Sequence, residues 1–539
     1  MTHAFTYFGT KVRDQMGQMT LIVHLSRIMA TENDDSIGIP SYERVGRFLI
    51  TSKSHMALPN PFRRHTPNTR TCWGYTFDLT PEHLTEEQCK PLRQSYDVLG
   101  EQVLNRLNEI SPPPRKDLPR GNSQFTKPKA EPEESISKQE QERTKAPTRD
   151  LYAILQEHKD SDELLQRFWN EVTTVPEWVD WEQIRRGQDT FYRYGAANLT
   201  GLAYQSLLGG MGAARVVETL ARTGGFSTKV AKGRLFETTQ HILQCTKAVE
   251  SLQPGGDGFA STIRVRLLHA AVRNRIMALT KSRPEYYDVE AWGVPINDLD
   301  SMGTIATFSA SLIWMSLPRQ GIFMRRQEIE DYVALWRYIA FLVGCPTEPF
   351  ATAEGAKACM EALLLYEIHP TDTSKILANN IIKCLADQPP GCPSAEFLSA
   401  SARWLNGHEL SDRLGLMRPS LYYYFLVAGQ CIFFAFFNYS NRAVPSWDEK
   451  KISMLKRVFY NLVVNTDFGL KGQESAFEFK YVPEYSTITA MGEAEHADKP
   501  TTSYTEWQSK KALLYTGAVL VLGGYVAYRV TGYALGLVF

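Results

Sequence analysis

From Leu151 to Leu405 the chain repeats one pattern: apolar residues recur at helical spacing for several turns, Gly or Pro interrupts, and the pattern resumes. The periodic blocks run Leu164 to Val172, Asp180 to Leu208, Ala213 to Arg222, Gly233 to Leu252, Thr262 to Lys281, Leu299 to Leu317 and Arg325 to Leu342. They continue through Ala353 to Tyr366, Ser374 to Ala386 and Ala395 to Leu405. Gly209-Gly210, Gly224-Gly225, Pro254-Gly255-Gly256 and Pro318 separate the blocks, which is the chemistry of turns. Few stretches alternate with period two and no repeat is visible, so the spacing predicts an all-α domain.

Composition limits what surrounds that domain. With 539 residues, 43% hydrophobic and 11% aromatic, the chain has ample material for a core and excludes wholesale disorder and collagen-like repeats. Lys+Arg and Asp+Glu are both 59, so no global field argues for nucleic acid, and none is expected as a partner. The 8 cysteines form no CxxC pair and no Cys/His cluster at zinc spacing, which predicts mostly free thiols in a reducing compartment.

Residues 1 to about 70 give no clear element, and the N-terminus lacks the apolar stretch of a secretory signal. From Cys72 a turn or short strand precedes a helix with Thr85 as N-cap, whose apolar residues Leu92, Tyr96, Leu99, Val103, Leu104 and Leu107 share one face. Residues 111–150 have almost no large apolar side chains and read as a disordered linker. At the other end, Ala512 to Tyr528 runs 17 residues without a charge, and ten more residues follow Arg529. At about 1.5 Å per residue this covers roughly 30 Å of hydrocarbon, so residues 512–539 are expected to be a transmembrane anchor. Lys510 and Lys511 before it predict that the body stays on the cytosolic side. A terminal helix docked on the protein's own core is the plainer alternative. A second apolar run, Leu421 to Tyr439, reads better as a buried or interfacial helix than as a second span, because it is rich in aromatics and carries Gln430.

The familiar short motifs are absent: no Gly-rich phosphate loop followed by Lys-Ser/Thr, no GxSxG, no HExxH. The chemistry must then sit in polar residues on apolar helices. In RVRLLHAAVR, His269 has Arg266 at i−3 and Arg273 at i+4 on the same face. That strip suits an acidic planar cofactor, with the imidazole on a metal and the arginines on carboxylates; it is equally what a core histidine beside two ion-paired arginines looks like. Arg234 and Thr238 stand one turn apart, and a helix hairpin could bring the Glu218 carboxylate to Arg234, the alternatives being an ordinary ion pair and a Thr bonded back to its own helix. WGVPINDLD, residues 292–300, is a Gly/Pro turn with capping residues, a helix start that could also line a cavity mouth.

Taken in order, Arg234-x-x-x-Thr238, RVRLLHAAVR, WGVPIND, Thr304 to Ser309 and the segment from Arg403 to Leu416 resemble the family that joins bacterial rubber oxygenase to the ER-bound oxygenase of fungal mycophenolic acid biosynthesis. The likeness covers roughly residues 170–420, and CWGYTFDLTPEHLTEEQ is similar to an N-terminal extension of fungal members. The resemblance implies a globin-like all-α core holding haem b, with His269 on the iron, Arg234, Thr238, Arg266 and Arg273 around the cofactor, and Glu218 as the catalytic carboxylate. One departure stands out: the residue before Thr238 is a distal Lys in the bacterial enzymes and Glu237 here. The implied reaction is O2-dependent oxidation or C=C cleavage of a hydrophobic, isoprenoid-like substrate at the ER membrane. Hydroxylation or dehydrogenation of a fungal secondary metabolite, or a tail-anchored lipid-binding scaffold without iron, are the competing readings. The expected organisation is 1–110 extension, 111–150 linker, 151–466 catalytic domain, 467–511 polar tether and 512–539 anchor.

Overall fold

The computed structural model describes residues 65–113, 149–223, 228–477 and 503–538, with side chains outside 228–230 and 532–538. Expectations for residues 1–64, most of the 111–150 linker and the 478–502 part of the tether lie outside the described residues. The fold is helical throughout except for one antiparallel hairpin, β1 (Thr69–Cys72) and β2 (Tyr75–Asp78), so the all-α expectation holds.

The N-terminal extension is two helices, not one. Thr85 caps α1 (Glu86–Leu92) in a reciprocal capping box with Gln88, and Asp97 caps α2 (Val98–Ile110) through the Gly100 amide. Then come α3 (Leu151–His158), α4 (Glu163–Thr173), α5 (Trp181–Arg193) and α6 (Gly195–Gly201), which runs into a π-helical turn over Leu202–Gly209. The Asp180 to Leu208 block is thus broken at Tyr194, whose ring is fully buried. The site region holds α7 (Ala214–Arg222), α8 (Thr228–Cys245), α9 (Asp257–Ser282) and α10 (Asp298–Phe308). The remainder is α11 (Arg326–Leu342), α12 (Ala353–Tyr366), α13 (Asp372–Leu385), α14 (Ala395–Asn406), α15 (Leu421–Arg442), α16 (Pro445–Tyr460) and α17 (Tyr504–Val538). The last begins eight residues before Ala512, so part of the expected tether is helix.

The main core joins α2, α4, α5, α9 and α11 through buried residues including Leu104, Phe168, Tyr192, Leu267 and Trp336. The extension is therefore part of the catalytic core's packing. Polar ties reinforce this. Buried Glu361 of α12 accepts from Tyr75 at 2.8 Å and meets His83 Nε2 at 2.9 Å and Lys357 at 2.7 Å. Arg266 of α9, 3% exposed, meets Asp97 at 2.7 and 2.8 Å and Glu171 of α4 at 3.0 Å. Asp150, at the end of the expected linker, caps α3 and pairs with Arg264. All eight cysteines are free thiols, as expected.

Both long apolar segments are helices. α15 buries Leu426, Val427, Cys431 and Phe434 but exposes Leu421, Tyr422, Phe425, Ile432 and Phe436. α17 packs on α15 and then exposes an apolar surface in which Leu514 is 64% and Val521 73% exposed. Both helices are long and apolar enough to cross a membrane. Asn198-Leu199-Thr200 and Asn438-Tyr439-Ser440 have the Asn-x-Ser/Thr form of glycosylation acceptors, but both asparagines are buried, so neither can take a glycan in the folded protein.

Removing one partner of a buried ion pair leaves the other charge uncompensated. Asp97→Ala, which also removes the α2 cap, is expected to lower unfolding stability by about 3 kcal/mol in urea titration. The conservative change Asp97→Glu, which keeps a carboxylate within reach of Arg266, is expected to lose less.

Candidate functional site

α8 and α9 form an antiparallel hairpin whose contacts run in opposite chain directions. Cys245 Sγ lies near Gly258 O at 3.8 Å and Thr262 Oγ1 at 3.5 Å, and one turn earlier His241 Nδ1 meets Ser261 Oγ at 3.0 Å. Toward the open end the helices are no longer sealed. Gly233, opposite His269 in this register, is exposed, and a Cβ there would meet nothing within 4 Å. Val265, Leu268 and His269 on one wall and Arg234, Phe236, Glu237 and His241 on the other are all half-buried.

His269 makes no hydrogen bond to any described residue, and it is half-buried. Burial nevertheless pushes its imidazole from the ordinary 6.5 to about 4, with the Arg273 cation adding to the shift and Asp97 opposing it. His241 behaves alike: burial lowers it to about 4, and charge on His269 lowers it further. The two rings sense one another across one interior and are both neutral nitrogen bases at physiological pH.

Of the residues singled out in the sequence, Arg266 and Arg273 do flank His269 and make protein contacts, Arg266 keeping a buried Nη1 without a partner among the described residues. Arg266 is paired with Asp97 and Glu171, and Arg273 donates to Pro295 O at 3.2 Å and Ile296 O at 2.9 Å while covering the Tyr96 ring. Their partners are at the start of α2, on α4 and in the 292–297 loop, so these arginines brace α9. The Glu218 to Arg234 pair is not formed. Glu218 pairs with Arg222 one turn along α7, and Arg222 Nε donates to Tyr286 O at 2.5 Å. Arg234 turns back onto the end of α7, donating to Thr223 Oγ1 at 3.2 Å and Thr223 O at 3.0 Å. It has no carboxylate within ion-pair distance among the described residues, and burial lowers its pKa, with Glu237 opposing the shift. Thr238 is exposed and makes no hydrogen bond to a described residue.

The WGVPIND segment is the helix start and not a cavity mouth: Asn297 caps α10 through Asp300, whose carboxylate meets Arg215 at 2.8 Å. Sequence reasoning gave no role to His241 or to residues 474–477. This strap lies along α8, where Ser475 exchanges bonds with Gln240 at 2.8 and 3.1 Å and donates to Glu237 at 2.8 Å. Phe477 meets His241 edge-on at 6.1 Å. The one available signal was the His241 and Cys245 pair at i, i+4; nothing in the spacing foretells a strap more than 230 residues away. A groove of about 540 Å³ bounded by Arg167, Asn170, Glu171, Thr174, Pro176 and Phe341 lies on α4 and α11 and holds no imidazole or thiol.

Residues 192–428, which contain this hairpin and both imidazoles, match the family described as ER-bound oxygenase mpaB/B′/rubber oxygenase, catalytic domain. The chain therefore carries an oxygenase domain of that family and is an oxidoreductase enzyme. Among solved structures, one titled "Structure of Latex Clearing Protein LCP in the closed state" is 18% identical, with a TM-score of 0.48, over 68% of this chain and 91% of that one. Comparison with curated protein sequences gives no match.

The depressed imidazoles carry a stability signature. Unfolded histidines take up protons near pH 6.5, whereas the folded rings resist until about pH 4. Their contribution is full above 6.5 and is lost as pH falls toward 4, an upper bound of about 3 kcal/mol per ring at 1.36 kcal/mol per unit. Thermal melts of the apoprotein should fall in Tm between pH 6.5 and 4, and the double variant His241→Gln, His269→Gln should flatten that part of the curve.

Proposed function

We propose that the chain is a membrane-anchored, haem b-dependent oxygenase that uses O2 to oxidise or cleave a C=C bond of a hydrophobic, isoprenoid-like substrate. The observation that carries this is His269: a neutral nitrogen base whose ring has no hydrogen-bond partner among the described residues, inside the segment that matches the oxygenase family. Among the described residues no three His, Cys, Asp or Glu side chains converge as a metal site. An iron held by His269 must then bring its own equatorial ligands, as a porphyrin does.

The residues present fit that group. His269 would hold the iron, with Arg273 and Arg266 fixing its helix. Arg234 is the cation free to meet a propionate, since its described hydrogen bonds go only to Thr223. When bound, the haem supplies the ferrous centre at which dioxygen is activated. The protein excludes water with Phe236, Val265 and Leu268 along the α8–α9 hairpin and with Phe477 against His241. Glu218, oriented by Arg222 on the helix whose end Arg234 holds, is the carboxylate that accepts an allylic proton from substrate at Oε.

A membrane setting suits such a substrate. α17 offers an uncovered apolar helix preceded by Lys510 and Lys511, and the exposed stripe of α15 beside it would rest at the interface. The location read from this is the ER, with the catalytic body in the cytosol.

The test is the absorption spectrum of the full chain expressed with haem supplied. A Soret band at about one haem per chain is expected, lost in His269→Ala; a folded, haem-free preparation would refute the reading. Glu218→Gln should keep the haem and lose at least about ten-fold in turnover of an unsaturated isoprenoid, within the 10² to 10⁴ range of general-base effects or just below it. Product masses separate cleavage from hydroxylation. For the anchor, Val519→Asp with Val521→Asp, each costing about 3 kcal/mol of insertion, should move the chain from the membrane pellet to the carbonate-soluble fraction without loss of folded body.

A further inference from the structure

A helix on the surface of a water-soluble body shows polar and charged residues on its outer side. α15 does not. From Leu421 to Asn441 it carries no charged residue, and every residue it exposes is apolar or tyrosine: Leu421 at 75%, Phe425 at 63% and Phe436 at 74%, with Tyr422 and Ile432 less so. At 100° per residue Leu421, Phe425, Ile432 and Phe436 fall within about 60° of one another, so they form one stripe about 22 Å long. By the same arithmetic Gly429, where α17 crosses, borders that stripe. The uncovered apolar surface of α17 begins there too, since Leu514, five residues past the contact at Ser509, is already exposed. The two apolar surfaces are continuous.

Neither helix is free to move away from the other. Glu506 Oε1 accepts from the Ser394 amide at 3.0 Å, Thr505 N donates to Gly391 O at 3.2 Å, and Ser509 O and the Leu513 side chain close on the bare Cα of Gly429. These docked turns and the apolar length beyond them are one unbroken helix, so α17 leaves the body in a fixed direction. α15 is tied down on its opposite side. Arg442 donates to Tyr194 Oη at 2.5 Å and to Phe323 O at 3.0 Å, Tyr439 Oη accepts from the Phe323 amide at 2.9 Å, and Leu426, Val427 and Cys431 pack with Phe397 and Ala400 of α14. A helix held in this way cannot cross a bilayer, yet wherever α17 enters one, the stripe is carried to its surface. An apolar face on a helix that does not span is what lies in the interfacial layer of a membrane, with tyrosine at headgroup level.

We infer that the α15 stripe is a lipid-contact surface: Leu421, Phe425, Ile432 and Phe436 sit among the acyl chains of the leaflet that α17 enters, and Tyr422 lies at their headgroups. This rests on the anchor reading of α17 in the preceding section and adds to it a second contact that does not span. The body is seated on the bilayer, not suspended from it, and the direction of α17 sets which face of the body meets the lipid.

The experiment uses the full chain reconstituted in phosphatidylcholine vesicles that contain a phospholipid with a diazirine on its acyl chain; after irradiation, adducts are mapped by peptide mass spectrometry. Adducts are expected on Leu421, Phe425, Ile432 and Phe436 as well as on α17, and none on α4. In the double variant Phe425→Glu, Phe436→Glu, both at exposed positions, the adducts on Leu421 and Ile432 should be lost while α17 keeps its own, with circular dichroism confirming an intact body. Adducts on α17 alone, or adducts on Leu421 and Ile432 that survive the double substitution, overturn the lipid seat while the anchor stands. Adducts on neither helix overturn both. A stripe protected from the label in a chain that sediments as a dimer assigns that face to a second copy and overturns the bilayer as its occupant.

Discussion

The rotation of one helix about its own axis decides what this protein can do, and a buried guanidinium sets it. Arg266 is 3% exposed and meets carboxylates from two different helices, Asp97 and Glu171. An unpaired charge at that depth costs several kcal/mol, so α9 cannot turn without losing more than its neighbours could return. At 100° per residue Arg266 and Arg273 both lie to one side of His269, with Ser261 and Val265 on the other. Locking the arginine side against the N-terminal extension leaves His269 on the side of α9 that faces α8. The extension thus braces the helix that carries His269 although it lies outside the matched segment.

Much of this was legible in the sequence, and the failures share one cause. Helical periods located α7, α9, α11 and α12 to within a few residues, because a helix advertises its buried face locally. Thr85 announced its cap for the same reason. The run from Thr85 to Leu107 was misread as one helix because its apolar residues keep helical spacing across Arg93 to Tyr96, where the chain bends to let Arg93 and Ser95 accept from the Val294 and Asp298 amides. Partner choice was the part that spacing could not supply. Arg266 and Arg273 look the same from sequence whether they face a carboxylate from a cofactor or one from residue 97. Glu218 had Arg222 at i+4 as well as Arg234 across a turn, and the local partner won, as short-range pairs on one helix commonly do.

Glu237 makes sense only together with a segment that sequence reading left as tether. A carboxylate in that place would face desolvation without compensation. Ser475 donates to it at 2.8 Å, and Gln240 and Gln244 tie the same strap down, the latter to Glu474 at 3.1 Å. The acidic residue and the strap form one hydrogen-bonded unit along α8. Beyond the strap the chain runs toward α17.

How α17 joins the body is fixed by a glycine. At Gly429 of α15 a Cβ would lie 2.3 Å from Ser509 O and 2.8 Å from the Leu513 side chain, so the two backbones approach as only a residue without a side chain allows. Close approach through small residues is how helices pair where water provides no hydrophobic drive between them. The crossing leaves Phe425 and Leu421 on one side of it and Ile432 and Phe436 on the other, all exposed, beside the uncovered apolar length of α17. α15 meanwhile buries its opposite face on α14, the helix whose Asn406 donates to Tyr204 O in the π-helical turn after α6. The uncovered apolar stripe and the contact with the body are therefore two faces of one helix.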